Sequence, residues 1–400
     1  MSSEPLGQQL PASGTSDDPP VRIGVATAAA VGAVLVGLGL ARFAFAPLQP
    51  ALVADGWFSG SGAALLAAAN LAGYLIGALT GSHVARRISP PNVIRAAMLV
   101  VAASFLVCAD ESLPYIWFFL WRVASGIGGG MIMGLAGPTV LAYVPAPRRA
   151  FIGEMVLYGL TGGIIIAGAL MPLLVKTSVE PAWIMLGAIS LLTTALTWRM
   201  WPPAQPRPPA APHESEHARL YCVQYALIAV GVVPQMIFLV DYIARDLERG
   251  VAIGSRFFLL YGLGAIIGPM LYSFIAGRIG LRSTVKIAVA VQFFSILLLI
   301  ADDSGGVLVA AAFLGGLGMP ALLALSLLRS QQITGGDPIR HRALWGTATA
   351  SFAVGQATAA FGTVFLIDEF GERGLAYPLL FAVAAVALTI AFLMDFAIRR

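Results

Sequence analysis

The sequence predicts an all-α integral membrane protein with twelve transmembrane helices in two pseudo-symmetric six-helix halves. Hydrophobic residues make up 58% of the 400 residues and charged residues only 11%, whereas soluble proteins carry about 25% charged residues. Twelve apolar segments follow one another, each close to the roughly 20 residues that cross a bilayer as a helix. One long proline-rich segment separates the sixth from the seventh. These observations exclude a nucleic-acid-binding protein, a cytosolic enzyme and a coiled coil.

Only short polar stretches separate most of the apolar segments. Residues 1–20 precede the first one, are rich in Ser, Gly and Pro, and contain no Lys or Arg. A signal peptide begins instead with positive charge and a short apolar core, so we expect a disordered cytoplasmic tail. The predicted helices span about 22–46, 58–82, 92–109, 113–143, 150–174, 181–201, 220–243, 252–275, 284–301, 306–328, 343–367 and 375–397.

The long polar segment is 202–219, and six of its residues are prolines. This composition favours a stiff cytoplasmic linker over a packed element. The linker divides the chain into two predicted six-helix bundles, 21–201 and 220–400.

The linker contains His213-Glu214-Ser215-Glu216-His217, which matches the H-E-x-x-H pattern of zinc proteases. That chemistry requires both His side chains on one helical face, a third ligand and a cleft for the metal-bound water. A Pro-rich linker offers no such cleft, so we expect a solvated segment, with no metal site, no cofactor and no enzymatic activity. The alternative, a linker metalloprotease, predicts stoichiometric zinc in the purified protein.

Basic residues are distributed unevenly between the two sides of the predicted helices. With the N-terminus inside, most of the 24 Lys and Arg residues fall in cytoplasmic loops, and the outer loops are mainly acidic. This positive-inside distribution places both termini in the cytoplasm. We expect a multi-pass, monomeric protein of the cell inner or plasma membrane, which contacts lipid and no nucleic acid.

The two halves resemble each other in sequence. The stretch from Ala41 to Arg87 aligns with Val233 to about Ile279 at a shift near 192 residues. Six-plus-six halves joined by a basic linker are typical of transporters whose halves rock about a midplane site. The sequence contains no Walker A loop, so we expect no direct ATP drive.

Three segments of the sequence match helix motifs of a known transporter family. The segment LWRVASGIGGG, from Leu120 to Gly130, resembles the fourth-helix motif of an Arg followed by closely spaced glycines. ARFAFAPLQP, from Ala41 to Pro50, and VPQMIFLVDYIAR, from Val233 to Arg245, resemble the first- and seventh-helix signatures. The first of these segments resembles the major facilitator superfamily (MFS), and the other two resemble its YbfB/YjiJ-type branch. The resemblance extends from residue 21 onwards and implies the MFS fold and transport by alternating access.

The loop between the second and third helices departs from the superfamily pattern Gly-x-x-x-Asp-Arg-x-Gly-Arg-Arg. Ala85 stands at the Asp position, and Gly277 stands there in the second half. The charge network that this Asp anchors in relatives therefore lacks its acid here. The resemblance still assigns these loops to the conformational switch, through the basic residues Arg86, Arg87, Arg278 and Arg282.

We single out three ionisable residues inside predicted helices, where a charge costs about 2.5–3.5 kcal/mol on insertion scales. Arg122 lies roughly 12 Å below the outer surface. By resemblance it serves coupling or substrate charge recognition, and the alternative is an Arg that carbonyl groups neutralise. Arg42 and Asp241 are expected at the outer ends of the first and seventh helices, where they would pair as a gate. Asp241 is also the predicted proton carrier, because burial favours a neutral carboxyl group. The alternative is that both snorkel into the interface.

Uncharged polar residues at midplane depth are candidates for a solute pocket. Asn70 and Tyr74 share one helix face at i, i+4 spacing, and Gln235 and Gln356 join them as predicted lining residues. The alternative for each is a helix–helix hydrogen bond worth about 0.6 kcal/mol.

Together these features predict a secondary active transporter that moves a small organic solute by alternating access and is coupled to protons. The alternative function is a non-transporting membrane sensor or receptor that retains the MFS fold. A sensor predicts binding of a solute without flux.

Overall fold

The computed structural model describes residues 22–145, 148–175, 178–203, 216–335 and 337–397. Within these ranges the chain is helical and contains no strand. Twelve helices are long and apolar enough to cross a membrane, which confirms the predicted fold class. The predicted tail, 1–20, and the linker residues 204–215 lie outside the described residues.

The helices are labelled α1 to α12 in chain order, with α1–α6 in the N-terminal half and α7–α12 in the C-terminal half. Their bounds are α1 Ile23–Ala54, α2 Gly60–Ile88, α3 Pro90–Val107, α4 Tyr115–Leu141, α5 Arg149–Leu174, α6 Glu180–Thr197, α7 Glu216–Asp246, α8 Val251–Ile279, α9 Leu281–Ala301, α10 Gly305–Ile333, α11 Pro338–Phe370 and α12 Ala376–Ala397.

α1 is longer than the sequence predicts. The prediction ends this helix at residue 46, but it continues to Ala54 through Pro47 and Pro50. Its middle section, Leu35–Ala44, is π-helical. Local π-helical adjustment re-satisfies backbone groups near prolines in membrane helices, so these prolines do not end the helix. The middle of α1 therefore lies close to residue 42.

α7, like α1, combines an internal proline with a π-helical section. It contains Pro234 and ends in the π-helical turn Tyr242–Asp246. It begins at Glu216, four residues earlier than predicted, so the end of the predicted linker is helical.

Glycines set the closest helix approach in each half. A Cβ on Gly73 or Gly77 of α2 would lie 2.1 Å from a backbone oxygen of α4. In the other half, a Cβ on Gly264 or Gly268 of α8 would lie 2.3 or 2.2 Å from a backbone oxygen of α10. Small residues allow this backbone contact in membrane bundles. The same helix pair thus packs in the same way in both halves.

Among the described residues, the two halves meet mainly through α2 against α11 and α5 against α8. The second part of α1 also packs against α7 and α8. The residues of α1 from Val36 to Leu52 are almost completely buried at this interface.

Candidate functional site

Arg42 lies in the π-helical section of α1, with only 5% of its surface exposed. Its Nη1 donates a hydrogen bond of 3.2 Å to Oε1 of Gln356 on α11. Its guanidinium carbon lies 4.3 Å from the centroid of the Tyr74 ring on α2, a cation–π contact. The structure thus brings three predicted site residues together, two from the N-terminal half and one from the C-terminal half.

The hydrogen bonding of this Arg42 group is incomplete. Nη2 of Arg42 is buried and has no hydrogen-bond partner among the described residues. Nε2 of Gln356 donates to the thioether sulfur of Met236 at 3.6 Å, and sulfur is a weak acceptor. Two donors in one buried site therefore lack a good acceptor.

Arg122 on α4 is 2% exposed and is held by backbone oxygens. Its Nη1 donates to the carbonyl of Ala41 at 2.9 Å, and its Nε donates to the carbonyl of Leu66 at 3.4 Å. The guanidinium carbon lies 4.0 Å from the centroid of the Phe45 ring. These contacts connect α4 to α1 and α2, and Ala41 directly precedes Arg42. The two guanidinium groups therefore lie in neighbouring positions inside the N-terminal half.

Asn70 belongs to the surroundings of Arg122. Its Nδ2 donates to Oγ of Ser125 at 2.9 Å and to the backbone oxygen of Arg122 at 3.3 Å. Ser125 was not predicted, although its position three residues after Arg122 on the same helix was a usable signal.

Asp241 on α7 is completely buried and does not pair with Arg42. Its two oxygens accept hydrogen bonds of 2.5 Å from Nε and Nη2 of Arg245, and the hydroxyl of Tyr377 on α12 also donates to it. The predicted Arg42–Asp241 gate pair is therefore absent from this conformation. Arg245 lies one turn along the same helix, where i, i+4 pairing needs no movement of a second helix. Arg42 is at the middle of α1 rather than at its outer end.

Tyr377 was not predicted. Its contact with Asp241 joins residues 136 positions apart, and no local spacing signals it.

Gln235 lies apart from the Arg42 group and within its own half. Its Oε1 accepts hydrogen bonds of 2.7 Å from Gln292 and from Ser295, both on α9. Its Nε2 donates to the carbonyl of Ala311 on α10 at 3.2 Å. The amide occupies space beside Gly315, whose Cβ would lie 2.3 Å from Oε1. The structure does not bring Gln235 to Tyr74 and Gln356, because neighbouring polar groups in the C-terminal half bind its amide.

The predicted switch residues have different surroundings. Arg86 and Arg87 are exposed at the end of α2. Arg278 lies over the Phe274 ring, with its guanidinium carbon 4.0 Å from the centroid. Arg282 donates to Asp395 on α12, with 3.3 Å between Nε and Oδ2.

Asp395 is an acid that the sequence pattern did not identify. It is 1% exposed, and Lys286 and Arg329 form ion pairs with it in addition to Arg282. The carboxylate of α12 thus holds together the ends of α9, α10 and α12.

The H-E-x-x-H segment lies mostly outside the described residues. His213, Glu214 and Ser215 are in that part of the chain, whereas Glu216 and His217 begin α7. Among the described residues, no group of three His, Cys, Asp or Glu side chains is arranged to hold a metal ion.

Sequence comparison adds a family match to this geometry. A family model described as "Uncharacterised MFS-type transporter YbfB" matches residues 34–396, which confirms the resemblance found in the sequence. A search of curated proteins finds no match.

Solved structures share the fold at low sequence identity. A D-xylose-proton symporter is 14% identical, with a TM-score of 0.71, and the match covers 93% of this chain and 97% of that chain. A mutant of the nucleoside transporter NupG is 12% identical, with a TM-score of 0.72, over 94% and 100%. A bacterial homolog of the human lysosomal transporter Spinster, inward-facing and unoccupied, is 16% identical, with a TM-score of 0.68, over 95% and 97%.

Proposed function

The chain belongs to the MFS-type transporter family represented by YbfB and is a transporter rather than an enzyme; we propose that it moves a small organic solute by alternating access, coupled to protons. The observation that carries this proposal is the Arg42 group, in which Arg42 and Tyr74 meet Gln356 from the other half. A buried charged group shared by both halves is what a midplane binding site requires.

Alternating access follows from the division of this group between the halves. Rocking of one half against the other changes the distance from Arg42 and Tyr74 to Gln356. A solute that contacts all three side chains is held tightly only when the halves are close, so its binding and release are linked to the movement.

The Asp241 group supports proton coupling. Asp241 is buried and binds both Arg245 on its own helix and Tyr377 on α12. Protonation removes the negative charge that attracts Arg245 and accepts the Tyr377 hydrogen bond. It thereby weakens the contact between α7 and α12, which links proton uptake to movement within the C-terminal half. The similarity to a D-xylose-proton symporter is consistent with this role.

The placement in the cell also forms part of the proposal. The basic loops support an inner or plasma membrane protein with both termini in the cytoplasm. We assign α1–α6 and α7–α12, the helices of the predicted segments 21–201 and 220–400, to the two moving bundles. The predicted linker, 202–219, joins them up to the start of α7 at Glu216, and the predicted tail, 1–20, lies outside the described residues. Arg86, Arg87, Arg278 and Arg282 then lie on the cytoplasmic side as switch residues, and the protein acts as a monomer.

The test compares the solutes inside and outside cells that express the wild type, Arg42→Gln or Arg256→Gln at matched protein levels. Arg256 is exposed near the start of α8 and controls for the loss of one Arg. We expect a solute whose distribution changes with the wild type and with Arg256→Gln. Arg42→Gln should transport it about tenfold more slowly or worse, because it loses a charge-assisted contact.

A second arm of the test addresses the coupling ion. In proteoliposomes, an imposed pH gradient should drive accumulation of that solute by the wild type. Asp241→Asn should retain exchange of the solute and lose the response to the gradient. If the purified protein binds a solute but never moves it, the chain is a sensor that retains the fold, and the proposal is wrong.

A further inference from the structure

Within the part of the chain that the structure describes, the N-terminal half buries two guanidinium groups that have no carboxylate beside them. Arg42 and Arg122 are 5% and 2% exposed, and among the described residues neither forms an ion pair. A guanidinium group stays charged in proteins, and a buried charge needs compensation. The interior therefore has an excess of positive charge.

The two cations are not compensated to the same degree. Arg122 donates to two carbonyl oxygens and lies over a ring, which is how a buried Arg is solvated by backbone dipoles. Among the described residues, Arg42 has one hydrogen bond to a neutral amide and one ring contact, and its Nη2 has no partner. Arg42 is therefore the cation whose positive charge is less well compensated.

No nearby acid among the described residues compensates the charge of Arg42. Asp241 is the completely buried carboxylate of α7, and Arg245 and Tyr377 already occupy both its oxygens. Glu154 accepts a hydrogen bond from Ser273 at the contact between α5 and α8. An anion from outside the chain remains as the group that completes the site.

We propose that the transported solute is a small monocarboxylate whose carboxylate binds between Arg42 and Gln356. This inference rests on the proposed transport function and specifies its substrate class. One carboxylate oxygen accepts from Nη2 of Arg42, and the other accepts from Nε2 of Gln356, which then leaves the Met236 sulfur. Because Arg122 is already solvated by carbonyls, a single negative charge is enough. A planar carboxylate also matches the flat edge of a guanidinium group.

The rest of the solute faces an apolar and aromatic environment. Tyr74 covers one face of Arg42, and the Met236 side chain contacts Gln356. Because the residues of α1 around Arg42 are buried in this conformation, we infer that the body of the solute is small. A short aliphatic chain or a single aromatic ring fits this chemistry.

The test measures binding to the purified full-length protein by thermal shift and by titration at constant ionic strength. The probes are acetate, butyrate and benzoate, with butyramide and benzamide as uncharged counterparts and benzylamine as the cation. We expect at least one carboxylate to raise the melting temperature of the wild type. Its amide and amine counterparts should bind about tenfold more weakly or worse, since they lack the charge-assisted contact.

Variants locate the binding site. Arg42→Gln should lose the discrimination between carboxylate and amide, Arg42→Lys should retain part of it, and Arg256→Gln should match the wild type. Equal binding of amide and carboxylate by the wild type overturns the inference, as does the absence of any shift across the acids. Neither result depends on a variant that must fold.

Transport assays separate this inference from the proposed function. If benzoate binds with charge discrimination but does not cross proteoliposomes, the transport proposal fails and the anion site stands. If an uncharged or cationic solute is transported in its place, transport stands and the anion site is wrong.

Discussion

The N-terminal half brings α2 against α4 through Gly73 and Gly77, and the C-terminal half brings α8 against α10 through Gly264 and Gly268. The backbone scaffold is therefore repeated. The charges placed on it are not. Beside the first contact lies the buried Arg122, which carbonyl groups solvate.

The C-terminal half places neutral amides and hydroxyls in the corresponding interior. Gln292 and Ser295 both donate hydrogen bonds to Oε1 of Gln235 there. Its charges lie elsewhere, at Asp241 on α7 and at Asp395 on α12, where each acid is paired with Arg. The repeat therefore supplies the mechanical frame. One half contributes a buried cation that has no ion-pair partner among the described residues, and the other contributes acids already paired with cations.

The two halves also differ in charge at the end of the bundle that contains the α2–α3 and α8–α9 turns. In the N-terminal half, Arg95 donates to the carbonyl of Trp198 at 2.8 Å and to Asn92 at 2.8 Å. In the C-terminal half, Lys286 lies over the Phe396 ring at 3.8 Å and pairs with Asp395. Both contacts tie the third helix of a half to its sixth, but only the second uses a buried acid.

The largest expected effect comes from removing the buried acid Asp395. Asp395→Asn leaves Arg329 buried without its carboxylate, so we expect a loss of about 3–5 kcal/mol in the free energy of unfolding. The counterpart Arg95→Gln should cost about 1 kcal/mol, because it removes hydrogen bonds that are open to solvent. Thermal unfolding of the purified protein measures both. Equal losses would mean that the two ends are held in the same way.

Composition and hydropathy alone predict most of this fold, because a bilayer demands long apolar helices whatever their sequence. The length of α1 was mispredicted for a local reason. Pro47 and Pro50 normally end a helix, but the π-helical section before them accommodates the chain. Because the predicted helix was too short, the prediction placed Arg42 near the end of α1 rather than near its middle. The predicted pairing with Asp241 followed from that placement, and the structure does not show it.

The site could be predicted only in part. Polar residues inside apolar segments are visible in a sequence, and Arg42, Tyr74 and Gln356 were all singled out. Their contact joins positions 314 residues apart, and no periodicity encodes it. The Asp241–Arg245 pair, in contrast, is an i, i+4 pair that the sequence does display. Asp241 has a local candidate partner, Arg245, and a distant one, Arg42. Helix packing decides between them, and the sequence pattern does not predict that packing.

The glycine contacts give a second test of the repeat, with an intermediate effect. Gly77→Ala and Gly268→Ala each place a Cβ within 2.2 Å of a backbone oxygen, so the helices must separate. We expect each to lower the free energy of unfolding by about 1–3 kcal/mol. Gly134→Ala on α4 is the control, because its Cβ meets nothing within 4 Å. Thermal unfolding should show similar losses for the two variants, whereas a loss in one half alone would break the correspondence.

The smallest expected effect concerns two matching turns outside the membrane spans. Asp110 accepts hydrogen bonds from the hydroxyl and the backbone N–H of Ser112, at 2.7 and 2.9 Å. Asp302 accepts the same two bonds from Ser304, at 2.6 and 3.1 Å. Because these bonds favour the charged carboxylate, they lower the pKa of both Asp residues below the usual value.

A lowered pKa in the folded state contributes stability above the ordinary carboxyl pKa, and that stability is lost as the pH falls through the folded value. Both turns are exposed, so the contribution is small. Between about pH 5 and about pH 3, the melting temperature of the wild type should fall slightly more than that of Asp110→Asn with Asp302→Asn. The two single variants should each remove a similar share of this difference, since the turns have the same bonds. If only one of the two single variants changes the pH dependence, the two turns share the same hydrogen bonds but do not contribute equally to stability.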